Sequence, residues 1–106
     1  MLESQFKKKV REILSKEGFV FVQNIAGEGV PTSFPDTTVI SPFGVTFYAE
    51  FKRSQAVYEA GEKSEHQQKQ EYWIWKLTEM GHNAQFVYPE NLERWLDEAR
   101  TTKKPN

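Results

Sequence analysis

The sequence predicts an α/β fold in which a mixed β-sheet is flanked by helices, with elements in the order αβββαβα. Apolar residues recur every three or four positions in three stretches, which is typical of amphipathic helices. β-Branched and alternating runs between them indicate four strands, two of which are joined by a tight turn. A hairpin followed by a helix and a further strand implies both antiparallel and parallel pairing, because a parallel neighbour requires a crossover connection.

The length and composition indicate one globular domain. A chain of 106 residues supports a single modest core, and 3 Trp, 8 Phe and 4 Tyr supply large side chains to fill it. We expect this domain to occupy residues 1–100 and a flexible polar tail to occupy residues 101–106. The absence of Cys excludes disulfides, a thiolate nucleophile and a Cys-based zinc site.

The hydropathy and charge patterns narrow the class of protein further. No apolar run approaches the roughly 20 residues of a membrane helix, and the start lacks a signal-peptide core, so we expect a cytoplasmic protein without a membrane partner. The net charge is only -1, with 14 Lys+Arg against 15 Asp+Glu. Binding to nucleic acid would therefore require a local basic surface, and basic residues do cluster near the start at Lys7, Lys8, Lys9 and Arg11.

The first third of the chain predicts a helix, a strand and a loop. Residues 2–17 form the helix, which Gly18 ends, and one apolar stripe runs along it: Leu2, Phe6, Val10, Ile13 and Leu14. Residues 19–22 are strand formers. Residues 24–35 are rich in turn residues and are predicted to form a loop.

A hairpin follows, with strands at residues 37–41 and 45–52 and a turn at residues 42–44. Because side chains two apart share a face of a strand, the second strand has a polar face of Thr46, Tyr48, Glu50 and Lys52. Its other face carries Val45, Phe47, Ala49 and Phe51 and is predicted to be buried.

The remaining chain predicts a loop, a helix, a strand and a last helix. Residues 53–62 show little periodicity and are predicted to connect the hairpin to a helix at residues 65–80. That helix opens with a Ser-x-x-Gln capping box at Ser64. Residues 84–88 form the last strand, and Pro89 opens a helix whose buried side is Leu92, Trp95, Leu96 and Ala99.

Three charged side chains of the hairpin are candidates for catalysis. In an antiparallel hairpin the start of the first strand lies near the end of the second, so Asp36 is expected alongside Glu50 and Lys52. Two carboxylates form a hard oxygen site suited to Mg²⁺ or Mn²⁺. An amine beside them can orient a water or stabilise developing charge, so the set suits hydrolysis of a phosphodiester.

The ordered set resembles a known nuclease group. Phe34-Pro35-Asp36 before a strand and Glu50-Phe51-Lys52 at the end of the next strand are similar to the PD-(D/E)XK nuclease superfamily. More narrowly, the chain resembles the VRR-NUC domain of phage and bacterial replication and repair proteins. Supporting features are Glu3 in the first helix, Gly29-Val30-Pro31 before the aspartate and the Ser-x-x-Gln opening of the later helix. The resemblance extends over residues 1–100 and implies a restriction-endonuclease-like fold.

The resemblance also implies an activity and a set of roles. It implies Mg²⁺-dependent endonucleolytic cleavage of DNA, often of branched substrates such as Holliday junctions, by a homodimer with no organic cofactor. Mn²⁺ would substitute for Mg²⁺. Asp36 and Glu50 become metal ligands, Lys52 the catalytic lysine and Glu3 a further acidic ligand.

Other candidates are less sharply defined by the sequence. A catalytic glutamine is expected at Gln67 or Gln70, with Gln68 as a third option, although Gln67 is equally well explained as the capping partner of Ser64. We expect phosphate contacts from three basic side chains: Arg53, Lys7 and Lys8.

The histidines and tryptophans have simpler explanations. His66 and His82 are expected at the surface or at helix ends, since a lone histidine rarely makes a metal site. The helical tryptophans are expected in the core or an interface, with an exposed Trp75 suited to a dimer contact. The alternative function is a non-catalytic DNA-binding or assembly module on the same fold. A different metal-dependent hydrolase is less well supported because no other motif specifies a small-molecule pocket.

Overall fold

The computed structural model describes residues 2–25, 27 and 29–104. These residues form helices and strands in the following order: α1 Glu3–Lys16, β1 Val20–Gln23, β2 Thr37–Ile40, β3 Thr46–Phe51, α2 Gln55–Ala60, α3 Glu65–Glu79, β4 Asn83–Val87, a 3₁₀ turn Pro89–Asn91 and α4 Leu92–Thr101. The predicted domain, loop and tail include Met1, Ala26, Glu28, Pro105 and Asn106, which lie outside the described residues.

The strands pair in the order β1-β2-β3-β4 within the described part of the chain. β1 and β2 are antiparallel, as are β2 and β3, whereas β3 and β4 are parallel. The predicted mixed sheet and the predicted hairpin are thus confirmed. The parallel pair is joined through α2 and α3, which supply the crossover that such a connection requires.

One face of the sheet packs on α1 and α4 and holds the main core. Phe51 lies at its centre, with ring centroids 5.9 Å from Phe6, 5.7 Å from Phe21 and 6.0 Å from Trp95. The apolar stripe predicted for α1 is buried at three of its positions: Phe6, Val10 and Leu14. The predicted buried side of α4 is confirmed at all four positions: Leu92, Trp95, Leu96 and Ala99.

The other face of β3 and β4 is covered by α3 and by the loop that precedes β2. The Phe34 ring lies 5.3 Å from the Trp73 ring and 5.8 Å from the Tyr48 ring, centroid to centroid. This cover shields part of the strand face that the sequence marks as polar: Thr46 stays exposed, whereas Tyr48 and Lys52 are half-buried. Glu50, on that face, retains only 4% of its exposure.

The prediction that residues 53–62 form a loop is wrong, because α2 occupies Gln55–Ala60. The Ser54 hydroxyl accepts the backbone N–H of Val57 and caps this helix. A carboxylate from another part of the chain adds a second cap, since Glu90 accepts the backbone N–H of Gln55 at 2.9 Å. Tyr58 is the buried residue of α2, and its ring lies 5.2 Å from the Phe86 ring. The element order is therefore αβββααβα.

The last helix continues to Thr101, which the sequence had assigned to the polar tail. Beyond it, the backbone N–H of Lys104 donates to the carbonyl of Phe43 at 3.1 Å, so the chain returns to the hairpin turn. Across the described ranges, no helix has the length and apolar character needed to span a bilayer.

Candidate active site

The hairpin brings two carboxyl groups together. Thr37 pairs with Ala49, so Asp36, one residue before β2, lies level with Glu50 in β3. The two carboxyl groups are close enough to interact by charge and by a hydrogen bond. Asp36 and Glu50 thus lie side by side at this end of the hairpin, as the sequence predicted.

Glu50 is held in its protonated form by this environment. Burial is the main cause of a pKa raised to about 9, and the Asp36 charge and the hydrogen bond with Asp36 raise it further. The charge of Lys52 opposes this effect, and the charge of Glu3 adds a smaller increase. A divalent cation would have to displace this proton, and its charge would then stabilise both ionised carboxylates.

Asp36 is fixed by three neighbouring residues. The Thr37 hydroxyl donates to its Oδ1 at 2.8 Å, and Lys7 Nζ lies 2.8 Å from its Oδ2. The backbone N–H of Asn24 donates to the Asp36 carbonyl at 2.7 Å, which ties the end of β1 to the start of β2. Lys7 was predicted to contact phosphate, whereas the structure places it in an ion pair with Asp36.

Lys52, the third residue of the predicted set, points toward α3. Its Nζ donates to Gln70 Oε1 at 2.8 Å and lies 5.2 Å from the centroid of the Tyr58 ring. Gln70 retains 7% of its exposure, so this hydrogen bond is largely shielded from water. The structure thus brings Lys52 and Gln70 to the same end of the hairpin as Glu50.

The three candidate glutamines have different partners. Gln67 forms the capping box of α3, since its Oε1 accepts the backbone N–H of Ser64 at 2.9 Å. Gln68 Nε2 donates to the carbonyl of Lys63 at 3.1 Å. Gln70 is the glutamine that contacts Lys52, so the structure favours it over Gln67 and Gln68.

A pocket of about 270 Å³ lies over the carboxyl pair. It is bounded by α1, the loop before β2, the end of β3 and the start of α3, and its polar lining is Glu3, Asn24, Ser33, Asp36, Glu50, His66 and Gln70. A second pocket of about 190 Å³ adjoins Lys52, Arg53 and Gln67. Glu3 lines both, so the predicted ligand of α1 lies at the rim between them.

Of the three predicted metal ligands, Asp36 and Glu50 lie level with each other, and Glu3 lies at the rim of their pocket. Within residues 2–25, 27 and 29–104, no group of three His, Cys, Asp or Glu side chains converges as a metal site would require. Glu3 is therefore not brought into a cluster with the other two carboxylates. Asp36 and Glu50 do fit a hard divalent cation, because they supply adjacent carboxylate oxygens and Glu50 otherwise binds a proton.

Comparisons with known proteins bear on this arrangement. No protein-family model matches the chain, and a comparison with curated proteins gave no match. Among solved structures, the chain is similar to one titled "VRR_NUC domain", at 24% identity and a TM-score of 0.62. The match covers 90% of this chain and 94% of that chain. This chain has the VRR_NUC fold. The resemblance inferred from the sequence is confirmed at the level of the fold.

Two residues at this end of the VRR_NUC fold were not identified as candidates from the sequence. His66 was expected to be an isolated surface residue, yet it lines the pocket and its Nε2 lies 3.1 Å from Gln70 Nε2. Its position four residues before Gln70, on the same helical face, was an available signal. Tyr58 contacts Lys52 from α2, and no local pattern marks it because its helix was missed.

The basic residues of α1 line a separate groove of about 370 Å³ on the VRR_NUC fold. Lys7, Lys8 and Arg11 lie there beside Phe21 and Gln23 of the edge strand β1. Lys8 is exposed, as is Arg53 at the end of β3. Both predicted phosphate contacts are therefore accessible to solvent. In the sequence, Lys8 precedes the carboxyl pair and Arg53 follows it.

Proposed function

We propose that the chain is a Mg²⁺-dependent DNA endonuclease that hydrolyses phosphodiester bonds in branched or structured DNA, such as Holliday junctions. One observation carries the proposal: Asp36 and Glu50 lie level with each other at the end of the hairpin and line one pocket, and Gln70 holds Lys52 at the same end. The VRR_NUC fold supports the nuclease class. The resemblance suggests a role in replication or repair in the cytoplasm of a bacterial or phage-infected cell.

The chemistry divides among the residues of the site. Asp36 and Glu50 would hold the Mg²⁺ ion, or Mn²⁺ in its place, and the ion would supply Lewis acidity toward the phosphate. Lys52 donates hydrogen bonds only, so its ammonium group can orient a water or stabilise negative charge on the phosphate oxygens. Gln70 accepts from Lys52 and fixes its direction. Glu3, at the rim, could accept from a water in the shell of the ion.

The near-neutral chain would hold DNA through local contacts. Lys8 and Arg53 are exposed near the site and suit phosphate oxygens. A homodimer would match the two-fold symmetry of a junction, and the exposed Trp75 and Tyr72 of α3 offer an aromatic surface for it. Sedimentation at micromolar concentration tests the dimer, and the mass of a single chain would contradict it.

The activity is tested with purified protein, Mg²⁺ or Mn²⁺, and matched junction and linear duplex DNA. We expect cleavage that requires the ion and favours the junction. Asp36→Ala should abolish it, whereas Asp97→Ala, at an exposed carboxylate of α4, should retain it. Equal cleavage by Asp36→Ala and the wild-type chain would refute the assignment.

The second candidate is a DNA-binding or assembly module without turnover. The Lys7–Asp36 ion pair favours it, because an ammonium group already neutralises one of the two carboxylates. Under this alternative, Mn²⁺ would produce no thermal stabilisation, since nothing would bind the folded state preferentially. DNA binding that is unaffected by chelation would support the module.

Lys7→Gln is expected to strengthen metal binding. The substitution removes the ammonium group 2.8 Å from Asp36 and leaves the carboxyl repulsion without compensation. A partly exposed ion pair contributes about 1 kcal/mol, so the apparent affinity for Mn²⁺ should rise about fivefold. Thermal shift titrations of the DNA-free protein measure this, and Lys9→Gln, at an exposed position of α1, is the matched control. Equal affinity in the wild type and Lys7→Gln would place the ion away from Asp36.

Substitution of Gln67 and of Gln70 is expected to have opposite consequences. Gln67→Ala removes half of the capping box and should cost about 0.5–1 kcal/mol of unfolding free energy with little effect on cleavage. Gln70→Ala removes the acceptor of Lys52 and should reduce cleavage by about tenfold or more. Urea unfolding and single-turnover cleavage measure the two effects. The reverse outcome would restore Gln67 as the functional glutamine.

A further inference from the structure

A chain of three hydrogen bonds connects the loop before β2 to Lys52. Ser33 Oγ lies 2.7 Å from His66 Nδ1, His66 Nε2 lies 3.1 Å from Gln70 Nε2, and Gln70 Oε1 lies 2.8 Å from Lys52 Nζ. The four residues come from three parts of the fold: the loop, α3 and the end of β3. Three of them line the pocket over the carboxyl pair: Ser33, His66 and Gln70.

The direction of each hydrogen bond follows from Lys52. An ammonium group only donates, so the atom of Gln70 that faces it is the amide oxygen, and the amide nitrogen faces His66. An amide nitrogen also only donates, so His66 Nε2 must accept. A neutral His66 then carries its proton on Nδ1 and donates it to Ser33 Oγ. The chain therefore fixes both the tautomer of His66 and the orientation of Gln70.

Ser33 is held in an unusual backbone conformation. Its φ angle is 65°, in the left-handed region that residues other than glycine rarely occupy. The residue is also buried, with 6% of its surface exposed. Among the non-glycine residues that the structure describes, it alone has a positive φ. Strained residues cluster at functional sites because the surrounding structure must hold them there. Here the strain places a hydroxyl against His66.

We propose that His66 and Ser33 are positioning residues for Lys52, an inference that rests on the proposed nuclease function. His66 accepts from the Gln70 amide and so keeps the Gln70 oxygen directed at the lysine. Ser33 accepts from His66 and so keeps the imidazole in the tautomer that can accept. Without them the Gln70 amide is free to rotate, and the ammonium group loses its fixed position beside the carboxyl pair.

The tautomer is tested by ¹⁵N NMR of the full metal-free chain at a pH above about 8, where an ordinary imidazole is neutral. We expect His66 to carry its proton on Nδ1, which is the minor form of an unconstrained imidazole. His66→Ala should also shift the Lys52 Nζ resonance, whereas His82→Ala should leave it in place. His82 is the matched control because it packs on Tyr48, with ring centroids 5.9 Å apart, outside this chain of residues. A proton on Nε2 would overturn the proposal.

Kinetics test the effect on the reaction. We expect His66→Ala to lower kcat about tenfold to a hundredfold with little change in KM for DNA. His66→Gln, which offers an acceptor near the position of Nε2, should recover part of the loss. In a Gln70→Ala background His66→Ala should cost nothing further, because it acts through Gln70. An additive loss in the double variant would contradict the proposal.

Ser33→Gly separates positioning from stability. Glycine accepts a positive φ readily, so Tm should stay level or rise, while loss of the hydroxyl should lower kcat. Unchanged kcat in both Ser33→Gly and His66→Ala would overturn the inference. A wild-type chain that cuts no DNA would instead contradict the proposed function, and the tautomer and the Lys52 resonance would still decide whether these hydrogen bonds exist.

Discussion

Glu50→Gln is expected to lower DNA cleavage on the order of a thousandfold and to stabilise the metal-free protein at alkaline pH. The two effects share a cause. The Glu50 carboxyl is buried against Asp36, which raises its pKa from 4.5 to about 9. A glutamine reproduces the protonated form, since its amide can donate to Asp36, but it removes a charged ligand for the ion.

The sign of the stability effect follows from the two pKa values. Below pH 4.5, the pKa of the carboxyl in the unfolded chain, Glu50 is protonated in both states and does not lower the free energy of unfolding. As pH rises toward 9 the unfolded chain releases the proton and the folded chain keeps it, so the folded state loses stability. The limiting slope for one proton is about 1.4 kcal/mol per pH unit. Glutamine does not titrate, so the free energy of unfolding of Glu50→Gln should increasingly exceed that of the wild type as pH rises toward 9.

Urea unfolding in a chelator across this window measures the effect. We expect the wild type and Glu50→Gln to differ least near the acid end and most near the alkaline end. Glu12→Gln, at an exposed position of α1, is the matched control and should follow the wild type. A parallel dependence on pH in all three proteins would mean that Glu50 ionises freely in the folded state. Added Mn²⁺ should raise the free energy of unfolding of the wild type at alkaline pH and should leave that of Glu50→Gln nearly unchanged.

The proximity of Asp36 and Glu50 was predictable because it depends on local rules. An antiparallel hairpin with a short turn fixes which residues lie opposite each other, and the register places Asp36 level with Glu50. The buried stripe of α1 was readable for the same reason, since Phe6, Val10 and Leu14 follow the helical period. The mixture of antiparallel and parallel pairing followed from the hairpin and from the helical crossover that a parallel neighbour requires.

What the sequence did not predict depends on contacts between distant parts of the chain. α2 has six residues, and Glu90, 35 positions away, accepts the N–H of its first residue. The burial of Glu50 arises because α3 covers a strand face whose pattern is that of an exposed one. The Lys7–Asp36 pair similarly joins a helix to a loop across 29 positions, from residue 7 to residue 36. Periodicity within one element carries no information on such pairs.

Trp95→Ala is expected to have the largest effect on stability, about 3–5 kcal/mol of unfolding free energy. The side chain retains 1% of its exposure, and its ring lies 6.4 Å from Phe47 and 6.0 Å from Phe51. Removing it leaves a cavity under β3 that these rings cannot fill without moving. Phe51 lies between Glu50 and Lys52 in the chain, so the same core supports the strand end that carries the site.

Met80→Ala is the matched control, because Met80 retains 62% of its exposure at the end of α3 and its truncation should cost within about 0.5 kcal/mol. Urea unfolding followed by circular dichroism measures both variants without depending on tryptophan fluorescence. A domain of this size has about 5–15 kcal/mol of stability, so Trp95→Ala removes a large share. Cleavage per folded molecule should be retained when Trp95→Ala is assayed under stabilising conditions, since the tryptophan touches none of the reacting groups. Equal destabilisation by the two substitutions would contradict the packing described for α4.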